Sequence, residues 1–146
     1  MDKGLVYLTQ TDTTVGFLSQ DDRKLSRVKQ RDPNKKTLQV VDSFHTLQQN
    51  IRVPKRFRKR VRGALKTTFI YPNKKALRVV DSKSLHYPFV HKFHKLYSTS
   101  ANVTQHRFDE EFAINSADVV VYNAPFEELA PSSLVILTKL KIKQIR

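Results

Sequence analysis

Residues 97–105 read YSTSANVTQ, and they follow the apolar run PFVHKFHKL at 88–96. Small hydroxyls and an Asn at the end of an apolar run admit two readings. Ser, Thr and Asn side chains bond to their own backbone and favour turns, so the segment could simply redirect the chain. A loop that offers hydroxyls and backbone N–H groups to a phosphate uses the same residue types. Charge and a second hydroxyl-rich segment near the N-terminus separate the two.

Lys and Arg total 27 against 13 Asp and Glu, a formal net charge of +14. The excess is concentrated: positions 23–95 hold 21 basic residues and only three acids, Asp32, Asp42 and Asp81. Such a field attracts polyanions, so RNA or DNA is an expected partner. A membrane surface is not, because no basic stretch is joined to a continuous apolar face. No segment approaches the ~20 apolar residues of a membrane span. The N-terminal MDKGLVYLTQ lacks the basic start and small-residue cleavage site of a signal peptide. The chain has no cysteine, which excludes disulfides, thiolate zinc sites and cysteine nucleophiles. A cytoplasmic, monomeric protein is the expectation. With 146 residues, a single domain spanning 1–146 with a real core is expected.

The apolar pattern predicts interleaved strands and short helices. GLVYL, TLQVVDSF, KTTFIYP, ALRVV, ADVVVYNAP and SLVILT read as strands, and KTTFIYP is joined to ALRVV by a Pro-Asn-Lys-Lys turn. DRKLSRVKQ reads as a helix capped by Asp21 or Asp22 and ending near Asp32-Pro33. HTLQQNI reads as a short helix, and VPKRFRKRVRG as one with Pro at its start and Gly63 at its end. LHYPFVHKFHKL is expected to be helical after Pro88 and to run into YSTSAN. The fold class is therefore α+β (mixed α/β), an open twisted mixed sheet with short helices.

In LTQTDTTVGF, at 8–17, a strand runs into threonines and an Asp. Gly16 there is suited to close approach of backbone to a ligand, and the hydroxyls to a small polar substrate at a strand end. Further on, Lys29 and Arg31 flank Gln30, with Lys35 and Lys36 following. On an extended segment alternate residues point the same way, so Lys29 and Arg31 can converge on one anionic group. A point charge beside a forked donor suits a polyphosphate.

The order of these segments, TQTDTTVGF, KQRDPNKK, ALRVV and STSANVT, resembles the YrdC-type domain of threonylcarbamoyl-adenylate synthases. That family typically shows PTET-x-x-GL, a K-x-R motif with a further Lys, an Arg-bearing strand, and STSAN. The last is matched letter for letter at Ser98, Thr99, Ser100, Ala101 and Asn102. Lys29, Arg31 and Lys35 match the second motif, and Thr11, Thr13 and Gly16 the first, where Asp12 replaces Glu and Gln10 replaces Pro. PSSLVIL is similar to the family's Pro-Ser-Thr segment. The chain departs from the pattern at Arg62-Gly63-Ala64-Leu65-Lys66, where the family carries Pro-Gly-Pro-x-Thr, and is shorter than the family's usual domains.

The resemblance implies an enzyme that joins L-threonine, bicarbonate or carbon dioxide, and ATP into threonylcarbamoyl-adenylate for tRNA modification, with Mg2+ accompanying ATP. It implies that Lys29, Arg31, Lys35, Ser98, Ser100 and Asn102 bind ATP and its phosphates. Thr11 and Arg78 are the candidates for threonine, and Ser132 for a loop that closes over the site. No protein nucleophile is needed. The alternative is a catalytically silent module of the same fold that binds double-stranded RNA or tRNA. Its candidates are Lys55, Arg56, Arg58, Lys59, Arg60 and Arg62, in a stretch where 52–66 holds eight basic residues and no acid. His91 and His94 lie three apart, near His86, but no carboxylate stands at a ligand spacing. Packing or surface roles are expected for these histidines, and no metal site.

Overall fold

Strand alternation builds the architecture, which the computed structural model describes over residues 4–146. Nine strands form one mixed sheet: β1 (Tyr7–Gln10), β2 (Val15–Ser19), β3 (Leu38–Val41), β4 (Thr67–Ile70), β5 (Ala76–Val79), β6 (Lys95–Ser100), β7 (Val119–Val121), β8 (Ser133–Leu137) and β9 (Ile142–Gln144). Their order is β7-β1-β2-β6-β3-β5-β4-β8-β9. Pairs β1/β7, β3/β5 and β4/β8 are parallel, and the other five are antiparallel. The five helices are α1 (Asp22–Lys29), α2 (Phe44–Asn50), α3 (Arg58–Gly63), α4 (Tyr87–Phe93) and α5 (Glu110–Ser116).

Successive side chains of a strand point to opposite faces, and the packing follows that rule. On one face Leu8, Val15 and Phe17 pack with Leu25 of α1 and Ala113 of α5. Further along the same face Val41, Phe69, Leu77 and Val135 pack with Leu47 of α2 and Val61 of α3. On the other face Tyr7, Leu18, Val40 and Leu96 pack against α4, through Phe89 and Val90. Beyond α4 no other helix among the described residues covers that face, and the positions in phase with Leu18, Val40 and Leu96 floor a cleft. They are Gly16, Leu38, Arg78, Ser98, Ser100, Thr68 and Leu134.

Local signals set the helix ends. Asp21 caps α1, its Oδ1 accepting from the N–H groups of Arg23 at 3.0 Å and Lys24 at 3.3 Å. Ser43 caps α2 by accepting from Thr46 N, and Asp109 caps α5 by accepting from Phe112 N. The structure corrects four readings. VGFLS, not read as a strand, is the fully buried β2. The helix expected at 85–96 ends at Phe93, because His94 turns the chain with φ 65°. Residues 97–100 of YSTSAN then belong to strand β6 rather than to a loop, and Ala101 and Asn102 follow its end. The basic helix expected from Pro54 divides into a 3-10 turn, Lys55–Phe57, and α3. Helix α5 and strand β9 had no counterpart in the sequence reading. No helix among the described residues is long and apolar enough to cross a membrane.

Candidate active site

The cleft encloses about 630 Å³ and is lined by nine residues singled out from sequence: Thr11, Lys29, Arg31, Lys35, Arg78, Ser98, Ser100, Asn102 and Ser132. They come from five segments of the chain and meet because the free face of the sheet gathers them.

Lys29 ends α1, and Gln30 follows in the left-handed region at φ 54°. Lys29 and Arg31 therefore converge through a helix C-cap, not along the extended segment expected from the sequence. The Lys29 ammonium donates to Ser100 O at 3.0 Å, Ser100 Oγ at 3.1 Å and Asn102 Oδ1 at 3.0 Å. It therefore ties the K-x-R segment to STSAN. Burial, with Arg31 and Lys35 nearby, pushes its pKa down to about 8. Arg31 donates to Thr37 Oγ1, while its buried Nε has no partner. Thr104 closes the same corner, its Oγ1 donating to Lys29 O at 3.0 Å.

Arg78 is 3% exposed, so this strand arginine is not a surface side chain. One guanidinium nitrogen donates to Asp12 Oδ1 at 2.9 Å, and Nε has no partner. The Asp that replaces Glu in the first motif is thus the counter-ion of the strand arginine. Thr11 Oγ1 donates to Thr14 O at 2.5 Å and accepts from Thr13 N at 3.1 Å, so this hydroxyl holds its own turn. Gly16 lines the cleft. A Cβ there would lie 2.9 Å from Thr99 O and 3.0 Å from Thr11 Cγ2, so the glycine allows β2 to sit tightly against β6 and the threonine turn.

Ser132 is 2% exposed and its Oγ lies 2.7 Å from Thr68 Oγ1. That position is anchored in the floor rather than on a closing loop. Arg146 was missed by sequence reading. Its Nε donates to Ser132 O at 2.9 Å, and it adds a cation to the cleft lining. Burial, and the neighbouring Arg78, hold its pKa below the ordinary arginine value. Nothing local marks a C-terminal arginine as a site residue.

The six basic residues assigned to RNA lie elsewhere. They flank and form α3, on the helix-covered face, and none lines the cleft. Lys55, Arg56, Lys59, Arg60 and Arg62 are exposed and Arg58 is half-buried. Arg62 stacks over Phe44 at 4.6 Å, and Arg56 donates to Leu140 O.

The histidines divide. His86 is 1% exposed, has no partner for either ring nitrogen among the described residues, and stacks at 6.4 Å on Phe89. Burial, only partly opposed by Asp12, lowers its pKa to about 4. For His91 and His94 the expected absence of a carboxylate is overturned. Asp42 Oδ2 lies 2.8 Å from His91 Nδ1 and 2.7 Å from His94 Nδ1.

The mixed sheet carries α1, α2, α3 and α5 on one face, and α4 with the basic, hydroxyl-lined cleft on the other, an arrangement with counterparts among solved structures. Among solved structures, P. abyssi Sua5 in complex with L-threonine superposes with a TM-score of 0.80 at 13% identity, over 98% of this chain and 50% of that one. E. coli YciO gives 0.75 at 15% identity, over 99% and 83%. MTH1692 from Methanobacterium thermoautotrophicum gives 0.70 at 20% identity, over 98% and 80%. The chain thus spans about half the length of the Sua5 structure. No family model and no curated protein matches the sequence. These likenesses establish the fold.

Proposed function

We propose that the chain is a threonylcarbamoyl-adenylate synthase-type domain, a nucleotidyltransferase that uses L-threonine, bicarbonate or carbon dioxide, and ATP. Its product would serve tRNA modification, and we place it in the cytoplasm as a single-domain monomer over 1–146. The observation that carries this reading is the convergence of all nine substrate-site candidates on one cleft, with Lys29 bonded to STSAN. The fold-mate solved with L-threonine supports the choice of amino acid.

The chemistry asks the protein to position substrates and stabilise charge. Threonine's amine attacks carbon dioxide, and the resulting carbamate oxygen attacks the α-phosphate of ATP, expelling pyrophosphate. Lys29, Arg31 and Lys35 offset the charge of the triphosphate. Ser98, Ser100 and Asn102 donate to phosphate oxygens as the bound anion takes over the ammonium that Ser100 and Asn102 share. Arg78 turns its unpartnered Nε to the threonine carboxylate, while Asp12 fixes the guanidinium plane. Thr11 shapes the threonine side of the pocket. The lining includes no carboxylate among the described residues, so it offers no ligand set of its own for Mg2+. The ion belongs to the Mg-ATP substrate.

Pyrophosphate release from Mg-ATP and bicarbonate, with and without L-threonine, tests the proposal. Threonine-dependent release that Lys29→Ala and Arg31→Ala abolish is the expected result. Its absence from folded protein would move the assignment to the second reading, a binding module for double-stranded RNA or tRNA. That reading is favoured by one observation: Lys55, Lys59 and Arg60 are exposed and carry no ion pair among the described residues.

A further inference from the structure

The strongest feature outside the cleft lies at the opposite end of β3. Leu38, the first residue of that strand, lines the cleft. Asp42 follows its last residue, Val41, and there faces α4. His91 on α4 and His94 at its C-cap both present Nδ1 to one carboxylate oxygen, and the three ligand atoms lie within 4.8 Å of one another.

We propose that Asp42, His91 and His94 form a binding site for a late divalent transition metal, with Zn2+ the ion best suited to the donor set. Two imidazoles and one carboxylate are a three-ligand set that leaves a position for water. Imidazole favours Zn2+, Cu2+ or Ni2+ over the all-oxygen preference of Mg2+ and Ca2+.

Three structural features support the site. The carboxylate is already oriented from behind: Thr46 donates to Asp42 Oδ1 at 2.5 Å and Ser43 at 3.3 Å, leaving Oδ2 for the histidines. Oriented ligands of this kind are what metal sites use around their first ring of donors. Secondly, the two strands of the site are clamped by backbone, since Asp42 N donates to His94 O at 3.0 Å. His94 holds a positive φ of 65°, a conformation uncommon for a residue with a side chain. Thirdly, the rings are ordered yet open to solvent. His91 stacks on Tyr87 at 5.3 Å and meets His94 edge-on at 5.4 Å, while their side chains are 56% and 65% exposed.

Binding would require modest adjustment. Ligand atoms around a tetrahedral Zn2+ with roughly 2.0–2.1 Å bonds sit about 3.3 Å apart, so the present contacts open by about 0.5 Å. Each imidazole moves its proton to Nε2, which solvent can accept as a partner. Exposed histidine side chains can make both changes without disturbing the core.

The test uses the full chain without a polyhistidine tag, stripped with a chelator and titrated with Zn2+ by calorimetry. Co2+ provides a parallel reading through the visible absorption of a tetrahedral complex. One equivalent per chain is expected, and His94→Ala should weaken Zn2+ by at least about 100-fold, the upper end of what losing even an outer-shell partner costs. His91→Ala should act likewise, and both variants should bind ATP as the parent does. Folded wild-type protein that takes up no saturable equivalent would overturn the proposal. So would a His91→Ala/His94→Ala protein that binds Zn2+ like the wild type, because the ion would then sit on other residues.

Discussion

Two buried residues give the molecule its pH dependence, in different windows. His86 keeps a pKa of about 4 in the fold against 6.5 for a free imidazole. As pH falls from about 6.5 towards 4, the unfolded chain takes up a proton that the folded chain refuses, so stability declines. The full difference is worth roughly 3 kcal/mol. Urea denaturation between pH 7 and 4.5 should show this loss, and His86→Phe should flatten the curve across that window. Lys29 acts at the alkaline side. Its folded pKa of about 8 lies below the 10.5 of a free lysine, so the fold gains stability as pH rises from about 8 to 10.5. Nucleotide binding follows the opposite course because it needs the ammonium. ATP affinity should fall as pH rises through about 8, and Lys29→Met should bind weakly throughout with no such fall. Titration of ATP at pH 7 and 9 measures both. Asp12 and Arg78 are 4% and 3% exposed, so Asp12→Ala leaves a buried cation without its partner. A loss of about 3–5 kcal/mol is expected from thermal or urea unfolding.

At the scale of elements, Gly16 decides whether β2 can occupy its place between β1 and β6. A Cβ at 2.9 Å from the backbone oxygen of Thr99 forces the strands apart. Gly16→Ala should cost about 1–3 kcal/mol and weaken ATP binding, since Ser98 and Ser100 pair with β2. Circular dichroism melts and ATP titration of the same variant check the two parts. Most strands were legible because β-branched and aromatic runs bounded by turn residues leave little choice. Strand β2 was not, since VGFLS is buried on every side chain and shows no polar alternation. The end of α4 was also hidden. His94 adopts its positive φ with no glycine to signal it, so the apolar spacing of 88–96 continued a helix into what is β6. The site was legible only in part. Residue chemistry raised STSAN and the Lys29/Arg31 pair as phosphate binders, and family resemblance chose that reading and added Arg78. Asp42 stands 49 and 52 positions from His91 and His94, and no spacing rule within one element reaches that far.

At the scale of the whole molecule, the sheet separates two kinds of basic surface. Lys29, Arg31, Lys35, Arg78 and Arg146 face the cleft, beside the half of that face covered by α4. Lys55, Lys59 and Arg60 lie with α3 on the other side, and none of them lines the cleft. A polyanion held by the α3 surface should therefore not compete with ATP in the cleft. Each Lys or Arg contact to a phosphate contributes nearly one unit to the slope of log affinity against log salt. Changing Lys55, Lys59 and Arg60 together to Ser should weaken binding of a double-stranded RNA and lower that slope by about two to three. The same protein should retain its ATP affinity, because none of the three lines the cleft. Fluorescence anisotropy of a labelled duplex over a salt series, with and without saturating Mg-ATP, reads both effects. RNA displaced by ATP, or an unchanged slope in the triple variant, would place the polyanion in the cleft and leave α3 as a solvated surface. An unchanged ATP affinity with a reduced slope assigns the two faces to different ligands and lets one small sheet hold a tRNA while acting on a nucleotide.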